Sequence, residues 1–354
     1  MPPRRPTETP PDIYPRLRGR GALLGLAVGD ALGSTLKGRR LVAPAFPHLS
    51  DGVHRNMRGG GPFSLKPGQV GESGQMACCL AGGIRESGAY DTEAQMRRYL
   101  KWRQHAVGMD DYTREVLTEM AESTLPKANA AQRLWLKDGR KRALNGSLAR
   151  TAPIGVFYSK DAQTRALASF ADSMLTHFAP NCLLACATLN ASIAHAIHAG
   201  EKLTKEDLFK ATLRELAVMS AQLGRTINSF VKEVSTATAD VREDLSVSNQ
   251  NDPLLYWPEL HMHRKLDHVR VAFRLAYWEL WHAPSFEAAL VDVVNRGGDS
   301  DVNGAVTGAL LGAFYGEEAI PAAWRQAVLE ALNFRAGPLW SLYHPKDMVL
   351  LVPG

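Results

Sequence analysis

The chain has 354 residues, 45% of them hydrophobic, with 41 basic and 36 acidic side chains and a formal net charge of +5. That length can bury a large core, and a charge so nearly balanced, with no basic face or tail behind it, does not indicate a nucleic-acid partner. No run of eighteen uncharged apolar residues suggests a membrane span, no apolar signal core follows the polar start, and the 4 cysteines are too few for a disulfide scaffold, so a cytoplasmic protein without a membrane partner is expected.

Residues 1–16 carry six prolines, and 1–18 is expected to be a flexible tail. A single all-helical domain is expected over 19–340, followed by a C-terminal extension over 341–354. GALLGLAVGDALG (21–33) is small and apolar on every side, which predicts a buried helix. The Gly-, Pro- and His-rich stretch 38–68 predicts a loop. A helix is predicted from near Gln75 through MACCLAGGIRES, and another over 92–105 with Tyr99 and Trp102 on one face. Further helices are predicted over 111–122 and 129–138.

NGSLARTAPIGVF (145–157), with Gly146, Pro153 and Gly155 among apolar residues, is expected to be a tight loop entering a buried segment. Helical periodicity returns at 162–174, 181–199, 204–218 and 221–234. Residues 235–264 are polar and irregular and hold several histidines. Helices then follow at 266–282, 285–294, 303–315 and 321–332. No strand alternation is sustained, so the fold class is all-α. Glycines recur every fourth residue in Gly21–Gly25–Gly29 and Gly304–Gly308–Gly312, which predicts helices in close backbone contact.

Three polar groups are oddly placed for a packed protein. Asp30 lies in an apolar run, where a carboxylate needs a partner; it either caps a neighbouring turn or binds a ligand or metal. Glu72 and Ser73 precede an apolar helix and either cap its free N–H groups or face a ligand. Asp299 and Asp301 stand close together in GGDSDVNG. Such carboxylates repel unless a positive group lies between them, and a divalent cation is one answer, helix capping by one of the two the other. His195, His198, His261, His263, His268 and His282 follow no ligand pattern. Cys182 and Cys186, at i,i+4 spacing, are expected to be small buried hydrophobes rather than metal ligands.

Four stretches together resemble the ADP-ribosylglycohydrolase family, which includes the dinitrogenase reductase-activating type. GALLGLAVGDALGS (21–34) looks like that family's opening helix. GQVGESGQMACCLAGG (68–83) stands where the family has a TDDTQM segment. NGSLARTAPIGVF, with Thr176–His177 after the next helix, is similar to its NGSLMR-APIG segment and TH pair, and NRGGDSDVNGAVTGALLGAFYG (295–316) to its closing GGDTDT helix. The resemblance runs from about 19 to 316. It implies a compact orthogonal helical bundle of the ADP-ribosylglycohydrolase type, a cleft holding ADP-ribose and two magnesium ions, and cleavage of the bond from the ribose anomeric carbon to an acceptor.

Carried over residue by residue, the pattern is incomplete. The TDD triplet falls on Gly71, Glu72 and Ser73, the last threonine of GGDTDT on Val302, and the acidic residue of ALGxPxE on Lys37. The resemblance therefore implies one magnesium ion or none, with Glu72, Asp299 and Asp301 as its ligands. It implies Glu72, Asp299, Asp301 and Lys37 as the catalytic set, Glu72 as general base or ligand to the single ion, Lys37 supplying charge beside the acids. Asn145, Gly146, Ser147, Arg150, His177, Ser73 and Asn303 are implied contacts of ADP-ribose. The partner is then an ADP-ribosylated protein or other ADP-ribosylated acceptor, and the function a hydrolase with an altered, reduced or metal-free site. A catalytically inactive ADP-ribose-binding module and an enzyme acting on the ADP-ribosyl bond by a non-hydrolytic route are the alternatives. The stretches 38–68 and 235–264 are expected to border the cleft and choose the acceptor.

Overall fold

The computed structural model describes residues 13–39, 53–250, 265–331 and 343–353. Among them every regular element is helical, and strand pairing is confined to two isolated bridges, Gly60 with Leu65 and Leu144 with His268. The first helix, α1 (Tyr14–Gly33), opens with Pro15 in its first turn, where the missing N–H costs nothing. It therefore begins inside the stretch expected to be tail, and Arg18 is already buried, donating to the Ala196 carbonyl at 2.7 Å. Residues 1–12 lie outside the described residues.

The chain continues through α2 (Glu72–Ser87), α3 (Thr92–Arg103), α4 (Asp111–Glu122) and α5 (Ala130–Lys137). NGSLARTAPIGVF is not a loop: it forms two short helices, α6 (Gly146–Arg150) and α7 (Ala152–Phe157), the second started by Pro153. Then come α8 (Ala162–Thr176), α9 (Pro180–His198), α10 (Lys205–Thr226) and α11 (Val231–Ser248). Helix α10 runs past the break expected after 218, and α11 occupies the first half of the stretch expected to be irregular. The remainder, 251–264, with His261 and His263, lies outside the described residues, as do 40–52. Last are α12 (Val269–His282), α13 (Phe286–Asn295), α14 (Ser300–Tyr315), α15 (Ala322–Glu330) and α16 (Pro345–Leu350).

Helices α1 and α14 form the spine of the molecule. They run antiparallel with Gly21 against Gly312, Gly25 against Gly308, Gly29 against Gly304 and Gly33 against Ser300. A Cβ on Gly29 would stand 1.9 Å from the Gly304 carbonyl oxygen, and one on Gly25 2.1 Å from that of Gly308. The two backbones therefore touch, which only glycine permits. Helix α9, almost wholly buried, packs across this pair, and α12 and α13 pack on α14. One continuous apolar cluster runs from Ala22 through Val349. Met348 and Val349 of α16 are part of it, so the segment expected to be an extension packs on α1 and α2.

All four cysteines are buried and unpaired. The Cys182 thiol donates to the Leu144 carbonyl at 3.1 Å, and burial raises all four thiols above their ordinary pKa, as expected of small core residues. No helix among the described residues is long and apolar enough to cross a membrane.

Candidate active site

The spine brings its two ends together at the pocket. Ser300 Oγ donates to the Gly33 carbonyl at 2.7 Å, and beyond it the chains stay clamped: Gly38 N–H donates to Gly298 at 2.7 Å and Gly298 N–H to Arg39 at 2.8 Å. Lys37, on one side of this clamp, thus faces Asp299 and Asp301 on the other. Its Nζ lies 2.5 Å from Asp299 Oδ1 and 2.7 Å from Asp301 Oδ1. Asn145 Nδ2 donates to the other oxygen of Asp299 at 2.8 Å.

Burial weakens the Lys37 ammonium, but the two carboxylates more than offset it and hold the group charged well above its usual pKa. Burial also raises Asp299, to about 6; Lys37 draws it down and Asp301 pushes it up.

Asp30 builds the second wall. Gly71 cannot cap α2 with a side chain of its own, so Asp30 Oδ2 accepts the N–H groups of Gly71 at 2.9 Å and Gly74 at 2.8 Å. Asp30 is therefore a cap supplied from another helix, and burial together with nearby Asp301 raises its pKa to about 8. The cap fixes Glu72 in the first turn of α2. Glu72 Oε2 accepts the Asp110 N–H at 2.6 Å, while Oε1 is buried with no hydrogen-bond partner. Burial, reinforced by the Asp110 carboxylate, holds the Glu72 carboxyl well above the usual range.

The third wall comes from α6 and α8. Asn145 N–H donates to the Asp267 carbonyl at 2.9 Å and Val269 N–H to Ala143 at 2.8 Å, so the start of α6 is tied to the start of α12. A Cβ on Gly146 would lie 2.9 Å from the His177 ring, and its absence lets the imidazole reach the pocket. His177 Nδ1 pairs with Thr176 Oγ1 at 2.8 Å, and Tyr112 meets the ring edge-on.

These walls enclose a pocket of about 220 Å³. Lys37, Glu72, Ser73, Asn145, Gly146, His177, Asp299 and Asp301 all line it, as does Val302. Three residues expected as ADP-ribose contacts do not. Arg150 is fully buried, donates to Asp172 Oδ2 and to its carbonyl at 3.0 Å each, and stacks on Tyr99. Ser147 accepts from Ser173 at 2.8 Å inside the core, and the fully buried Asn303 is not among the lining residues. Sequence reasoning missed Asp110, Asp111, Tyr112 and Asp267, which also line the pocket. Asp110 had a local explanation, since it caps α4 by accepting the Thr113 N–H at 2.9 Å.

The residues do not fit a divalent ion between Asp299 and Asp301. An ammonium already stands between the two carboxylates, and Glu72 Oε2 is taken by a backbone N–H. Among the described residues no group of three or more His, Cys, Asp or Glu is arranged to hold a metal.

Two consequences for stability follow. Replacing Asp172 by Ala strands the Arg150 guanidinium in the core, at an expected cost of about 3–5 kcal/mol. Urea denaturation should show this, and should show a much smaller loss when Arg150 is also made Met. Secondly, burial and the Arg150 charge lower His177 to about 3. The unfolded chain takes up this proton near pH 6.5 and the folded one does not, so stability is complete above 6.5 and falls as the pH drops towards 3. Between pH 6.5 and 5 the loss is about 2 kcal/mol for this one group. A His177→Gln variant should show a correspondingly shallower fall in stability over that interval; an unchanged slope would remove His177 from the account.

Comparison with known proteins agrees with this architecture. The family model for ADP-ribosylglycohydrolase matches residues 11–345. The ADP-ribosylarginine hydrolase Tri1 of Serratia proteamaculans is 26% identical over 328 residues, covering 91% of this chain and 79% of that protein. The ADP-ribosyl-[dinitrogen reductase] glycohydrolase of Rhodospirillum rubrum is 26% identical, covering 89% of this chain and 91% of that one. A solved structure titled ADP-ribosylglycohydrolase-related protein complex superposes with a TM-score of 0.68 at 28% identity, over 96% of each chain. A match of this extent, on an all-helical bundle with these residues gathered in one pocket, means that the chain belongs to the ADP-ribosylglycohydrolase family.

Proposed function

We propose that this protein is a hydrolase that cleaves the bond between the anomeric carbon of ADP-ribose and a modified acceptor, with the reacting ribose seated in the pocket. The observation that carries the reading is the convergence of Glu72, Asp299 and Asp301, from distant parts of the chain, on one partly enclosed space with Asn145 and His177. Its volume is smaller than that of most pockets that take a whole organic ligand. It suits the sugar at the reacting end, with the adenosine outside.

In this reading Asp301 and Asn145 hold the ribose hydroxyls, and His177 with the chain at Gly146 faces the diphosphate. Held protonated by burial, Glu72 gives its proton to the departing acceptor atom as the glycosidic bond breaks. Water bonds to the anomeric carbon and its proton passes to Asp299. In this reading Glu72 is the acid of the reaction, where the resemblance implied a general base or a ligand to the single ion. Burial and the neighbouring Asp110 carboxylate are the reason.

Asp110, Asp111 and Asp267 add acidic side chains to the lining, which suits a cationic acceptor. ADP-ribosylated arginine is therefore the first acceptor class to test, and it is also the one named for the Serratia relative. The test is release of free ADP-ribose from arginine-, serine- and nucleic acid-linked substrates. Release from the arginine substrate is expected. Saturable ADP-ribose binding with no release from any substrate would make the protein a binding module instead.

A further inference from the structure

The structure gives Lys37 a definite place in the pocket wall. Its ammonium bonds one oxygen of Asp299 and one of Asp301 at once. The side chain is only 18% exposed and the two acids 12% and 7%. Backbone hydrogen bonds between Gly38, Arg39 and Gly298 clamp the lysine's loop to the aspartates' loop, so the ammonium is fixed from both sides. Asn145 saturates a further acceptor site on Asp299. Opposite, Ser73 offers a hydroxyl, Val302 offers nothing, and Glu72 offers only Oε1, since Oε2 is engaged by the Asp110 N–H.

A divalent ion entering here would have to break two charge-assisted bonds, and the displaced lysine would remain tethered beside it. Magnesium also requires close to six oxygen ligands in octahedral array, and with the ammonium in place this wall does not leave Asp299 Oδ1 and Asp301 Oδ1 free to serve among them. We infer that Lys37 is the site's resident cation, a covalently held charge that takes the place of a divalent metal and leaves the pocket independent of magnesium. This rests on the proposed function only in that the same pocket receives the ribose.

The experiment is calorimetric titration of the full chain with magnesium and, separately, manganese chloride, together with thermal melts in metal and in EDTA. The wild type is expected to give no saturable heat and the same melting temperature in metal and in EDTA. Lys37→Met should gain saturable manganese binding and melt higher with metal than in EDTA, because two close carboxylates lose their counter-charge. Lys37→Arg, which keeps the charge, should stay blind to both ions.

One-to-one metal binding by the wild type would overturn the inference, and so would a folded Lys37→Met that binds no metal. Should Lys37→Met fail to fold, the wild-type titration decides alone. ADP-ribose release, read on the same samples, bears on the other proposal: no release with no metal binding would leave the lysine's role standing and remove the enzyme.

Discussion

A Gly29→Ala variant is expected not to reach the native fold. The added methyl would lie 1.9 Å from the Gly304 carbonyl oxygen and 2.2 Å from its carbon. Neither is the end of a flexible side chain that could swing away. To make room the two helices would have to separate along contacts that repeat at Gly25–Gly308 and Gly21–Gly312. Interiors packed this densely do not yield by such amounts without losing neighbouring contacts. The cost is expected to exceed about 4 kcal/mol, in the range reached only by severe core disruptions. Loss of the cooperative thermal transition, or recovery only in inclusion bodies, is the expected observation. Gly224→Ala is the control, since a Cβ there meets nothing within 4 Å and the residue lies inside helix α10. It should gain up to about 1 kcal/mol from helix propensity alone. If both variants melt alike, the close contact of α1 with α14 is not what holds the spine.

Glu72→Gln carries the largest expected effect on turnover. The substitution keeps the shape and leaves the amide oxygen free to accept the Asp110 N–H, but removes the proton that the proposed mechanism gives to the departing acceptor. Loss of a positioned general acid costs about 10²–10⁴ in rate. The fall should appear in kcat, with ADP-ribose binding changed little, because the ribose contacts are assigned to other residues. Wild-type turnover by a folded Glu72→Gln would remove Glu72 from the chemistry. A loss of binding equal to the loss of rate would make it a ligand contact.

Much of this is legible in the amino-acid sequence. The glycine spacing foretold the contact of α1 with α14 because each glycine removes one obstacle on a face that recurs every fourth residue. Asp299, Asp301 and Glu72 stood out because carboxylates among glycines and apolar residues need a reason. Arg150 and Ser147, which the resemblance implied as ADP-ribose contacts, lie in NGSLAR, a stretch read as a loop. As a helix, its residues 147 and 150 share one face, and that face turns inward to Asp172 and Ser173. The helix α11 was missed because its inward positions include Ala237 and Ser248, too small to give a strong apolar stripe. Asp110 and Asp267 could not be found locally, since only the fold carries them to the pocket.

The pairing of α1 with α14 also governs when the molecule can be finished. Ser300 and Gly33, which touch, are 267 positions apart. At about 5–20 residues per second, a ribosome needs on the order of ten to fifty seconds to travel from one to the other. During that interval α1 has been made and its glycine face has nothing to cover it. Lys37 likewise waits for its aspartates, and the pocket exists only once nearly the whole chain has emerged. Truncation anywhere before α14 therefore leaves no fragment that contains the complete pocket.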